Sequence, residues 1–274
     1  MELVRPESVG NAVSALGNGA VALGGGTDLI PLLRDRIVAA ETLVELRNAL
    51  PKGIDGTTIG AGTTLGELEV DPQIPDALRE ACRLSASPQL RAVGTIGGNL
   101  LQATRCWYWR LKFPCRLHGG DRCHAREGQH REHAMFANDF CASAHPSDPA
   151  AALLALGATV RTDRRELPLA ELYRLPTEDD RSLTTLAPDE LIVELDVPRP
   201  DASVYLKAMD RQRWAFALVG VAAARFGDEI RFGLAGVAPI PWSKLDGATP
   251  LPGTAYKAKI LDALVKRARR AVSL

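Results

Sequence analysis

The chain has 274 residues, 46% of them apolar, and 33 Lys and Arg balance 33 Asp and Glu. That length supports two or three domains with real cores. The charge balance argues against a nucleic-acid binder whose affinity rests on neutralising phosphates. The longest apolar run, residues 216–224, is far too short to span a bilayer, so no membrane partner is expected. The start, Met1-Glu2-Leu3-Val4-Arg5-Pro6, lacks the basic end and apolar core of a signal peptide. A cytoplasmic location is expected, or a periplasmic one if a partner carries an export signal for a whole complex.

Residues 6–16 read as a helix with Val9, Ala12, Val13 and Leu16 on one face. Residues 20–23 form a short apolar strand that runs into Gly24-Gly25-Gly26-Thr27-Asp28, and a helix begins at 29–33. Strand, glycine turn and helix make the geometry of a phosphate cradle: the glycines let the backbone come close, and the amides at the helix start face an anion. There is neither a G-x-G-x-x-G fingerprint nor a P-loop lysine. On local grounds the segment reads equally as an anion cradle or a plain tight turn.

Residues 42–46 and 57–62 read as strands, the second leading into a helix start at 64–68. Residues 74–84 form an amphipathic helix with Leu78, Ala81 and Cys82 inward, which makes Cys82 a packing residue. A second glycine turn, Thr95-Ile96-Gly97-Gly98-Asn99-Leu100, lies about 70 residues after the first. One turn on each side of a long ligand, such as a dinucleotide, would use both.

The next stretch carries four of the five cysteines, Cys106, Cys115, Cys123 and Cys141, at spacings of 9, 8 and 18. It is crowded with Arg, His and Gly and shows neither helical nor strand period, so it would be a poor loop unless something held it. Clustered thiols of odd total number in a reducing compartment point to a metal centre rather than to disulfides. There is no C-x-x-C pair, and His118, His124, His130 and His133 stand nearby. On the residues alone, an iron–sulfur cluster and a Cys/His zinc site stay equally open.

Beyond it, residues 150–160 read as a helix and strand, 166–173 as a hairpin edge and helix turn, and 191–198 and 230–237 as strands. Residues 216–225 read as a strand or a helix. Residues 257–272 form an amphipathic basic helix with Ile260, Leu261, Leu264, Val265 and Ala268 inward and a solvated charged face. A domain boundary is expected near 162–166.

These motifs carry a family resemblance. Leu23-Gly24-Gly25-Gly26-Thr27-Asp28-Leu29 resembles the first flavin-binding loop of the FAD subunit of molybdenum hydroxylases, the xanthine dehydrogenase family, which includes carbon monoxide dehydrogenase and 4-hydroxybenzoyl-CoA reductase. Residues 86–91 with Gly94-Thr95-Ile96-Gly97-Gly98-Asn99-Leu100 resemble the second loop, and His145-Pro146-Ser147-Asp148 the next landmark. Phe216-Ala217-Leu218-Val219 and Gly236-Val237-Ala238-Pro239 resemble the C-terminal domain. The cysteine insert resembles that of the 4-hydroxybenzoyl-CoA reductase and bacterial periplasmic aldehyde oxidoreductase types, where it holds a [4Fe-4S] cluster.

The resemblance implies an α+β fold. A p-cresol methylhydroxylase-type FAD-binding domain in two α/β subdomains would occupy residues 1–163, with the insert at 104–141. A shortened sheet-plus-helix domain like that of the carbon monoxide dehydrogenase flavoprotein would occupy 164–274. It implies FAD held by Ala22, Leu23, Gly24, Gly25, Gly26, Thr27, Asp28 and Leu29 on one side and by Thr95, Ile96, Gly97, Gly98 and Asn99 on the other. Asp148 would hydrogen-bond the flavin or its ribityl chain. Trp107 would pack between cluster and flavin, or else be a core aromatic. Lys207 would lie near the flavin ring, although Met209 breaks the family's Lys-x-Arg-x-Arg pattern and a snorkelling surface lysine is the other reading. Cys106, Cys115, Cys123 and Cys141 would hold the [4Fe-4S] cluster.

The implied function is electron transfer within an oxidoreductase complex. The partners would be a large molybdopterin-binding subunit, a small subunit with two [2Fe-2S] clusters, and an external electron acceptor. A free-standing FAD-dependent oxidase and a zinc-stabilised binding module are the alternatives.

Overall fold

Three sheets and the helices between them build an α+β fold in a computed structural model that describes residues 1–17 and 19–273. The first sheet contains β1 (Glu2–Val4), β2 (Ala20–Leu23) and β3 (Thr42–Glu45), all parallel, in the order β1-β3-β2. Parallel neighbours need crossovers. The helices Val9–Ala15 and Leu29–Arg34 supply them. Ser8 caps the first helix by accepting from the Asn11 amide at 3.2 Å.

The second sheet contains β4 (Ile54–Asp55), β5 (Thr58–Gly60), β6 (Thr159–Thr162), β7 (Glu166–Pro168) and β8 (Ile192–Asp196) in the antiparallel order β4-β5-β8-β6-β7. The boundary expected at 163/164 falls inside the β6–β7 hairpin, where the Thr162 amide donates to Arg165 O at 2.8 Å. The polar residues there are a hairpin turn, not a linker. β8 then returns to lie between β5 and β6, so the chain leaves this sheet only at Val197.

The third sheet contains β9 (Ala202–Ala208), β10 (Val219–Phe226) and β11 (Glu229–Ala235), antiparallel, in the order β11-β10-β9. One face packs on the helices Asp76–Leu84 and Asp148–Leu156, the other on the C-terminal helix Tyr256–Ser273. Side chains alternate accordingly. Ala222, Ala224 and Ala235 join the core of the first 200 residues, while Val219, Val221, Ala223 and Leu234 join Leu261, Leu264, Ala268 and Val272 in a second core. At Gly233 a Cβ would stand 1.9 Å from Ala151 O, so only glycine lets β11 approach the Asp148–Leu156 helix this closely.

Residues 216–225, read as strand or helix, are strand from Val219 onward. Cys82 is fully buried and its thiol is pushed up by burial, as expected of a packing residue. Among the described residues no helix is long and apolar enough to cross a membrane.

Candidate cofactor site

The two glycine segments meet. A Cβ at Gly25 would lie 1.9 Å from Val93 O and 2.9 Å from Gly94 Cα, and one at Gly24 would lie 3.0 Å from Thr95 Oγ1. Glycine is therefore required for the first loop to touch the second. Gly26 adds a left-handed backbone, with φ 72°, that turns the chain into the Leu29–Arg34 helix. Among the described residues the amides of Gly25, Gly26, Thr27 and Asp28 donate to no protein backbone acceptor. A run of unpaired amides in a glycine turn at a strand end is a cradle for an anionic group.

The second segment is not a turn but a short helix, Ile96–Leu100, capped by Thr95, whose Oγ1 accepts from the Gly98 amide at 3.2 Å. Ile96 and Gly97 face the core. Their amides donate to Thr63 O at 2.8 Å and Ala61 O at 3.0 Å, so they support the site from behind. Thr95, Gly98 and Asn99 remain on the outer side. Asn99 is fixed by Ser147, whose hydroxyl lies 2.5 Å from Asn99 Oδ1 and also accepts from the Ala150 amide at the start of the Asp148–Leu156 helix.

Asp28 links the first loop to the cysteine insert. Its carboxylate accepts from the Ala103 amide at 2.7 Å, from Arg110 at 2.8 Å and from Arg105 at 3.3 Å. The carboxylate is thus a positioning group for the insert.

Asp148 and Lys207, expected at the flavin, pair with each other. Their side chains are 3% and 1% exposed and lie 2.6 Å apart. Tyr205 donates to the other Asp148 oxygen at 2.5 Å, Ser85 stands 3.3 Å from the first, and Lys207 also donates to Leu84 O at 3.0 Å. With both oxygens engaged by protein donors, the pair ties β9 to the helix that Asp148 begins. Burial and the Asp148 charge hold the Tyr205 hydroxyl well above the usual phenol range.

The irregular insert is held by arginines. Arg110 donates to Thr104 O, Arg116 to the carbonyls of Asp121, Asp139 and Phe140, Arg126 to Asn138 O, and Arg181 to Arg116 O and Gly120 O. These bonds satisfy carbonyls that a helix or sheet would otherwise pair.

Cys106, Cys115, Cys123 and Cys141 line one narrow cavity of about 10 Å³, which Trp109, Leu117 and Phe140 also line. Burial pushes the Cys106 thiol up to about 11 and the Cys141 thiol up to about 12. Such thiols stay protonated until a metal binds them. Among the described residues no group of three or more Cys, His, Asp or Glu side chains is placed to hold a single metal ion. His118 stacks on Trp109 and its Nε2 lies 2.8 Å from Trp109 O, while His130 lies 2.9 Å from Ala125 O and accepts from the Gly253 amide at 3.0 Å. His133 Nε2 lies 3.2 Å from Cys106 Sγ, and burial lowers its imidazole to about 4.

Trp107 lines a separate cleft of about 330 Å³ with Arg105, Cys106, His133, His145, Trp214 and Phe216. Arg105 lies over the Phe216 ring at 4.9 Å. Cys106 therefore stands in the wall between the thiol cavity and this cleft. Trp107 meets His133 edge-on with ring centroids 4.7 Å apart. Sequence reasoning gave no role to Arg105, Arg110, Ser147, Tyr205 or Lys257. The flanking of Cys106 by two arginines was the one signal available for the first two.

The sequence pattern of the FAD binding domain in molybdopterin dehydrogenase matches residues 1–200. The chain belongs to this family. The aldehyde oxidoreductase FAD-binding subunit PaoB of Escherichia coli (strain K12) is 35% identical over 244 residues, 82% of this chain and 76% of that one. The carbon monoxide dehydrogenase medium chain of Afipia carboxidovorans is 39% identical over 108 residues, 35% of this chain and 37% of that one. Among solved structures, reconstituted CO dehydrogenase from Oligotropha carboxidovorans superposes with a TM-score of 0.70 at 23% identity, covering 99% of this chain and 97% of that one. Quinoline 2-oxidoreductase from Pseudomonas putida 86 gives 0.63 at 20%, covering 95% and 85%. These last two show a shared fold. As an FAD-binding member of this oxidoreductase family, the chain has the α+β architecture that its loop motifs imply.

Proposed function

We propose that this flavoprotein is the FAD and [4Fe-4S] electron-transfer subunit of a multi-subunit molybdenum hydroxylase. It would receive electrons from two [2Fe-2S] clusters of a small partner and pass them to an external acceptor, with substrate chemistry on a large molybdopterin-binding partner. The observation that carries this reading is the contact of Gly24 and Gly25 with Val93, Gly94 and Thr95, beside a run of unpaired amides.

Bound FAD would supply the exchange between one-electron and two-electron carriers. The amides from Gly25 to Asp28 would take the pyrophosphate, with the side chains of Ala22, Leu23 and Leu29 packed around the turn. Thr95, Gly98 and Asn99 would close the other side. Trp107 and the cleft it lines would take an aromatic ring. The Asp148–Lys207 pair acts one layer away, by fixing the helix start whose Ser147 orients Asn99.

What supports an iron–sulfur cluster is that four thiols line one cavity, since thiolates are its usual ligands. Cys106, Cys115, Cys123 and Cys141 would be its ligands.

The test is isolation of the protein with its native partners followed by mass spectrometry, then addition of an aldehyde, the substrate class in the name of the PaoB enzyme. Flavin bleaching in the complex, with none in the isolated chain, is the expected result. Turnover by the isolated chain would instead make it a free-standing oxidase. A colourless chain carrying zinc would make it a binding module.

A further inference from the structure

His133 has no part in the cofactor motifs, yet it stands beside the one cysteine that lines two cavities. It is buried, and its Nε2 lies 3.2 Å from Cys106 Sγ. Cys106 lines both the four-thiol cavity and the larger cleft, whereas His133 and Trp107 line only the cleft. The ring of Trp107 stands edge-on to the imidazole at 4.7 Å. The segment just before His133 is held from the C-terminal region. Lys257, fully buried, donates to Glu132 O at 3.1 Å and Gly236 O at 2.8 Å, and the Gly253 amide donates to His130 Nε2 at 3.0 Å. A further bond, from the His133 amide to His130 O at 3.0 Å, closes the turn. The imidazole is therefore held in place before any cofactor binds.

We propose that His133 is a positioning residue that hydrogen-bonds the Cys106 thiolate of the cluster and raises the cluster's reduction potential. This rests on the reading of the four cysteines as [4Fe-4S] ligands. A thiolate bound to iron carries no proton, so the shared hydrogen must sit on Nε2 and point at sulfur. Nδ1 is then a bare acceptor. It is buried and has no partner among the described residues, an arrangement tolerated better by an acceptor than by an N–H. The reduced cluster is more negative than the oxidised one, so a donor aimed at its sulfur stabilises the reduced state more. Outer partners of this kind tune metal sites and set ligand orientation. Of the four ligands, Cys106 is the one that also faces the cleft, so the bond acts on the side of the cluster nearest the expected flavin ring.

The experiment is a potentiometric titration of the full chain, monitored by electron paramagnetic resonance of the reduced cluster, in wild type, His133→Phe and His133→Gln. Iron and flavin are counted in each. In His133→Phe the ratio of reduced to oxidised cluster at a fixed potential should fall about tenfold, near 59 mV for one electron. In His133→Gln, whose amide can still donate, most of that shift should be recovered. An unchanged midpoint in a fully loaded His133→Phe protein overturns the proposal. So does an equal shift in His133→Gln, which would trace it to packing. Nitrogen hyperfine coupling in reduced wild type labelled with 15N-histidine needs no variant, and its absence also overturns the proposal. Wild type without iron–sulfur signal refutes the underlying reading instead, and the two failures are thereby distinguished.

Discussion

At Gly25 the sequence and the structure give different reasons for the same residue. The motif implies that glycine leaves room for a phosphate, whereas the geometry shows that it leaves room for Val93 and Gly94 of the second loop. Gly25→Ala should therefore push the loops apart and remove most of the bound flavin, read as the flavin-to-protein ratio after purification. A full ratio would show that the contact is dispensable. His145 gives a pH prediction. Burial lowers its imidazole from 6.5 to about 3 in the folded chain, beside the Tyr173 ring at 5.1 Å. Between those values the unfolded chain binds a proton that the folded chain does not, so stability falls as pH drops from 6.5 towards 3 and is constant from this source above 6.5. Denaturant melts of His145→Phe should show a flatter acid limb than wild type. Parallel limbs would contradict the assignment.

Among elements, legibility followed the side-chain pattern. The helix Asp76–Leu84 was readable because Leu78, Ala81 and Cys82 share a face. β9 was not, because its side chains facing the first core are Ser203, Tyr205 and Lys207. Ser203 accepts from the Ala77 amide at 3.1 Å, and the other two bind Asp148, so a buried polar face has no apolar alternation to detect. Lys257 hid in the same way, as a buried lysine on an amphipathic helix whose charged face reads as solvated. The cysteine insert carries no period because arginine-to-carbonyl bonds replace a ladder. Its attachment to the first loop rests on Asp28. Asp28→Asn keeps the shape but loses the charge facing Arg105 and Arg110, and should cost about 1–2 kcal/mol and expose the insert to limited proteolysis. An unchanged melting temperature and cleavage pattern would show that the insert holds itself.

Over the whole molecule, the Asp148–Lys207 pair joins the third sheet to the core of the first 200 residues. Breaking a buried pair leaves an uncompensated charge, so Lys207→Met should destabilise the chain by about 3–5 kcal/mol in denaturant titration, whereas a change under 1 kcal/mol would mean that water reaches Asp148. The three sheets, the joined loops and the four-thiol cavity then combine into one proposal, that a flavin and an iron–sulfur cluster sit side by side. Iron, acid-labile sulfide and flavin analysis of the anaerobically purified chain, with its visible spectrum before and after dithionite, tests this most directly. One FAD and four irons per chain are predicted, with flavin bands over a broad shoulder that dithionite bleaches. A full complement of flavin with no iron, or zinc in its place, would contradict it.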